Sequence, residues 1–238
     1  MKIDDATYIA TKPSLVSHFP HEMPCGILML FFLLLLWDVG LAQETSPEDS
    51  QYVRVTNERA DKIVAGLELK DSDKELRVRN QIAKFYRDLN AIHGKRDADL
   101  KSANALNKDE PRTREAAFAN VRSESEAKQF RLHYAFLGTL GSELYGNQID
   151  HVKNGLTYDV VPKTLQQYLK LHPKLTPEQQ RTIHRLLLEA REYAMDSGSS
   201  DEKHAMFGKF KGRINNYLSA EGYDAKQAER DLKAMQEK

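Results

Sequence analysis

The residues best placed to do chemistry gather in residues 189–224, EAREYAMDSGSSDEKHAMFGKFKGRINNYLSAEGYD. On a helix starting at Ser200, successive residues turn by about 100°, so Met206, Phe207, Phe210, Ile214, Tyr217 and Leu218 share one apolar arc. Beside that arc run His204, Gly208, Lys211 and Asn215, at steps of four, three and four, with Gly212 bordering the stripe. A glycine inside a helix costs roughly 0.8–1 kcal/mol relative to alanine, so two of them one turn apart need a reason. Without a Cβ they leave a flat floor that another backbone or a ligand can approach closely. A floor flanked by an imidazole, an ammonium and an amide suits a polar ligand with hydroxyls or a carboxylate. The competing explanation is tight helix–helix packing beside a solvated charged edge. Asp196 and Arg191, just upstream, are the residues expected to help hold such a ligand.

Other groups offer less. His184 and Arg191 are seven apart beside a core face, and a satisfied buried pair accounts for them better than a shared pocket does. Glu189, Glu192 and Asp196 are acidic neighbours, and glycosidic chemistry needs two carboxyls about 5–9.5 Å apart. Arg185 and Glu189, however, form an ordinary i,i+4 surface pair. Arg87, Asp88, Asn90 and His93 make a polar strip that reads as a solvated helix face. HExxH, GxSxG, P-loop and GxGxxG patterns are all missing, so no metal site, cofactor or catalytic residue is assigned.

Helices must position these groups. Ala60, Ile63, Val64 and Leu67 mark a short helix ending near Leu69, and the cluster at residues 70–73 turns the chain and caps the next one. Val78, Ile82, Phe85, Leu89 and Ile92, spaced by four and three, line one face of a long second helix. Another runs from about Thr113 to Leu144, polar in the middle, with Phe130, Leu137, Leu140 and Leu144 read as core. Residues 155–161 (GLTYDVV) are the one strand-like stretch, too isolated for a sheet, and Pro162 is expected to open a short helix. Thr176, Pro177 and Gln179 combine an N-cap, a first-turn proline and a capping box. Ile183, Leu186, Leu187, Ala190 and Ala194 then face the core. Ser199 with Glu202 caps the next helix and Gly222 stops it. A last amphipathic piece follows Asp224, with Ala228, Leu232 and Met235 inward. The expected architecture is an all-α, single-domain bundle of about six or seven helices.

Composition agrees. The chain has 238 residues with 12 Gly and 8 Pro, too few for a turn-rich sandwich or barrel. Its 35 basic and 35 acidic residues balance, which removes the electrostatic footprint of a general nucleic-acid binder. The one cysteine, Cys25, cannot make an internal disulfide. Residues 27–37 (ILMLFFLLLLW) are apolar and uncharged, shorter than the about 20 residues of a membrane-spanning helix. They have the length of a secretory h-region, and Gly40-Leu41-Ala42 supplies small residues before a cut at Gln43. The reading is a signal peptide at 1–42, a polar linker at 43–52 and a helical domain at 53–238. Export follows, to the periplasm or beyond, with no stable membrane insertion once the signal is removed. The start codon, Met1 or Met23, and the oligomeric state stay open.

The 189–224 block, with VRNQIAKFYRDLNAIH upstream and GLTYDVVPKTLQQYL between, resembles a family of secreted bacterial proteins, domain-of-unknown-function family 3826. The similarity spans residues 60–224. It implies sugar binding and an association with pectin and other plant-polysaccharide degradation systems, without assigning catalytic residues. Leu175-Thr176-Pro177-Glu178-Gln179 resembles the Leu-Thr-x-x-Gln helix starts of extracytoplasmic stress chaperones, whose strongly basic surface this chain lacks. The leading expectation is an exported domain that binds, and could process, plant-type carbohydrate. Tyr158, Tyr193, Tyr217 and Tyr223 would replace the tryptophan that the mature chain lacks. The alternatives are a periplasmic interaction or chaperone-like protein and an unrecognised carbohydrate lyase or hydrolase.

Overall fold

The computed structural model of the chain describes residues 47–224 together with 227 and 230. The expected signal segment at 1–42 and the terminal piece with Ala228, Leu232 and Met235 lie outside the described residues. Seven α-helices follow one another: α1 (Pro47–Ala65), α2 (Ser72–Leu106), α3 (Pro111–Glu143), α4 (Gly146–Leu156), α5 (Val160–Leu171), α6 (Pro177–Met195) and α7 (Ser200–Ala220). Among the described residues there is no strand, and no helix is long and apolar enough to cross a membrane. The all-α expectation holds.

The caps are those the side chains dictate. Asp71 accepts from the amides of Asp73 and Lys74 at the start of α2. Thr176 and Gln179 close a capping box on α6, and Ser199 accepts from the Glu202 amide on α7. Gly222, at φ 88°, takes the left-handed conformation that ends α7.

Two apolar clusters fill the interior. One joins α1 to α4: Ile63, Val64, Val78, Ile82, Phe85, Leu140 and Val152 meet there, and Met195 reaches in from the end of α6. Phe85 and Phe136 stack at its centre, 4.1 Å between ring centroids. The second joins α5, α6 and α7 through Tyr168, Ile183, Leu187, Phe207, Phe210 and Ile214. The short helix α4 packs against α1, α3, α5 and α6 and so connects the two clusters. Ion pairs fix the long helices beside it: Arg77 to Glu143 at 2.7 Å and Arg79 to Asp61 at 2.8 Å.

Three details differ from the sequence reading. The segment 43–52 is not linker throughout, because α1 begins at Pro47, a residue whose fixed φ suits the first helical turn. Residues 155–161 divide between two helices: α4 ends at Leu156, and Tyr158 and Asp159 adopt φ 59° and 56° before α5. Pro162 therefore sits inside the first turn of α5 rather than opening it. Phe130 is 63% exposed, because the buried stripe of α3 is Ser125, His133, Phe136 and Leu140, a register that turns Phe130 outward against Tyr134.

Candidate functional site

The helix α7 places its buried side chains at 203, 207, 210, 214 and 218. Four are apolar and the first is Lys203, only 6% exposed. A lysine on the core stripe of a helix is uncommon unless it is paired. Its Nζ donates to the carbonyl of Leu156, the last residue of α4, at 3.0 Å. It also lies 5.8 Å from the centre of the Tyr86 ring. Arg59 approaches the same ring, its Cζ also 5.8 Å from the centroid. Two cations from helices far apart in sequence thus share one aromatic ring.

These groups border a cleft of about 200 Å³. Tyr52 and Arg59 come from α1, Tyr86, Leu89 and Asn90 from α2, Tyr158 from the α4–α5 turn, Ser197 to Ser200 from the α6–α7 connection, and Lys203 from α7. The lining carries two cations, three tyrosines, an amide and three serine hydroxyls, and no carboxylate. Burial, and after it the Arg59 charge, push the Lys203 ammonium down to about 8, with Asp196 acting the other way. Burial also pushes the Tyr86 hydroxyl up to about 12, so it stays protonated and able to donate at neutral pH. Tyr52 is raised for the same reason, and its hydroxyl donates to the Tyr86 carbonyl at 3.3 Å.

A polar framework holds the serine-rich wall. His93 Nε2 donates to the Asp196 carbonyl at 2.8 Å, because a carbonyl can only accept. His133 Nδ1 bonds the Asp196 carboxylate at 3.1 Å. Lys153 joins Glu192 at 2.8 Å, and Glu192 lies 3.7 Å from His133 Nε2. Gly198 packs so closely on the His93 ring that a Cβ there would sit 2.9 Å from Cγ. The Gly198 amide donates to the Glu202 carboxylate at 2.7 Å, closing the turn from the other side.

The predicted stripe is placed differently. His204 stands at the rim, its ring stacked on Tyr158 with centroids 5.7 Å apart. Asp196 lies in the framework behind the wall. Arg191 is buried in a separate contact, with Asp150 at 2.6 Å and Asn154 at 2.8 Å, and His184 is exposed and shares no pocket with it. Asn215 accepts from the Tyr168 hydroxyl at 2.7 Å and ties α7 to α5; eleven residues from His204, it is about 16 Å further along the helix. The Lys211 carbonyl receives the same hydroxyl at 3.4 Å. Gly208 and Gly212 are exposed, and a Cβ at either would meet nothing within 4 Å, which excludes tight helix packing as their reason. His204 and Asp196 therefore adjoin the cleft, whereas Arg191, Gly208, Lys211, Gly212 and Asn215 do not line it. Of the four tyrosines expected as stacking platforms, Tyr158 lines the cleft; Tyr223 is tied to Lys174 and Gln179. The strip at 87–93 is not simply a solvated face: Asn90 lines the cleft and His93 is buried.

Fold and cleft together define an all-α domain with a cationic, tyrosine-lined recess between its first, second and seventh helices. Residues 53–238 match the family described as protein of unknown function (DUF3826), and the chain belongs to that family. Among curated proteins, none matches the chain.

Proposed function

We propose that this chain is an exported helical domain that binds plant-type polysaccharide fragments, and that the cleft between α1, α2 and α7 holds them. The observation that carries the reading is the lining itself. Tyr158, 41% exposed, offers a ring face for a sugar, and Asn90, Ser199, Ser200 and the Tyr86 hydroxyl offer donors and acceptors for its hydroxyls. The backbone at Tyr158 supports the same reading, because a left-handed conformation costs an L-residue about 1–2 kcal/mol and such strain gathers at binding sites. A glycan array of the mature domain, repeated with Tyr158→Ala, tests it. Binding to plant-derived oligosaccharides that the variant loses is the expected result; an array without hits, or hits indifferent to Tyr158, would count against it.

One observation favours a protein-interaction role instead. Phe130 and Tyr134 pair on the outside of α3 with ring centroids 4.6 Å apart, both exposed. If that face is the functional one, Phe130→Ser abolishes capture of partner proteins while glycan binding is absent from the outset.

A further inference from the structure

We propose that the cleft selects an acidic saccharide, seating a uronate carboxylate between the guanidinium of Arg59 and the ammonium of Lys203 with the sugar ring against Tyr158. The inference rests on the cleft being the saccharide site and adds the charge of its ligand.

The cleft holds two cations and no carboxylate to compensate them. Several basic groups of α1 and α2 have carboxylate partners: Arg79 has Asp61, Arg77 has Glu143 and Lys95 has Asp99, whereas Lys74 and Arg87, like Arg59, have other neighbours instead. Among the described residues, Arg59 and Lys203 have none within ion-pair distance. Their shared neighbour is the ring of Tyr86, which attracts a cation but does not neutralise it. The nearby acids are engaged: Asp196 faces His133, and Glu202 accepts from the Gly198 amide. The N-terminus of α7, whose backbone dipole carries partial positive charge, closes the same wall with Ser199 and Ser200.

A lysine almost wholly out of water, without a carboxylate, is expensive to keep charged. It uses one of its three donors on Leu156, which leaves two for an anion entering the cleft. Arg59 is exposed at the mouth and supplies a fork that matches a carboxylate in two parallel bonds. Neutral sugars would leave both charges unanswered. A sugar whose C6 is a carboxylate rather than a hydroxymethyl group answers them at one point, while its remaining hydroxyls face the serines and Asn90.

The experiment is a calorimetric titration of the mature domain with trigalacturonate and, in parallel, with the galactose trimer of the same linkage, which differs only at C6. The acidic trimer is expected to bind about ten- to a hundredfold more tightly, the worth of one charge-assisted contact. Added salt should narrow the gap, and Arg59→Gln, at an exposed position that does not endanger folding, should erase most of it. Lys203→Met should do the same. Equal affinities, both lost in Tyr158→Ala, would overturn the acidic preference while leaving the cleft as the saccharide site. Binding of neither trimer, with circular dichroism showing an intact helical fold, would remove both readings.

Discussion

The ammonium of Lys203 lies 5.8 Å from the centre of the Tyr86 ring and donates to the Leu156 carbonyl, so one buried lysine joins α7 to α2 and to the end of α4. Burial, with the Arg59 charge behind it, depresses its proton affinity from the ordinary 10.5 to about 8, a loss worth about 3 kcal/mol of stability at neutral pH. Lys203→Met is therefore expected to stabilise the domain. The orphaned Leu156 carbonyl takes back about 1 kcal/mol, leaving a net gain of about 2 kcal/mol at pH 7. The sign with pH follows. Between about 8 and 10.5 the unfolded chain still holds the proton that the folded chain has released, so wild-type stability rises with pH there. The advantage of the variant should shrink over that window, as urea denaturation at a series of pH values would reveal. A variant less stable than wild type at pH 7 would contradict the burial account.

Tyr158→Gly separates stability from binding. Glycine accepts φ 59° without the side-chain clash, and that relief offsets the packing of the half-exposed ring against His204. Thermal melts should show stability held or raised by up to about 1 kcal/mol, while saccharide binding is lost. A destabilised variant that binds normally would dissociate Tyr158 from the site.

Gly198→Ala acts on the wall. The new methyl meets the buried His93 ring, which is held by its bond to the Asp196 carbonyl and cannot swing away. A loss of roughly 1–3 kcal/mol is expected, with weakened binding. In a His93→Ala background the same substitution should have a much smaller effect, and a double-mutant cycle measures the difference.

Gly208→Ala is the reverse case. The position is open, so only helix propensity changes, and the domain should gain about 0.8–1 kcal/mol with binding unaltered. Reduced binding in this variant would return the site to the glycine stripe.

The caps and core arcs were readable because they are local. Thr176 with Gln179, Ser199 with Glu202, and the run from Val78 to Leu89 all depend on spacings within one helix. The cleft was not, since Arg59, Tyr86 and Lys203 meet only after α1, α2 and α7 have packed. One signal was present: stepping four back from Phe207 along the core face lands on Lys203, a charge in an apolar register. Beginning the arc at Met206 hid it. The left-handed turn at Tyr158 and Asp159 was masked by residue types that favour strands, and the outward Phe130 by reading each aromatic residue as core.

The most direct test of the cleft is a nitrogen–proton NMR titration of the labelled protein with trigalacturonate. The account predicts that the amides of Ser197 to Ser200, Tyr158 and Lys203 shift saturably, while those of Gly208, Gly212 and Asn215 stay in place. Shifts confined to the Gly208–Asn215 stripe, or to Phe130 and Tyr134 on α3, would contradict it.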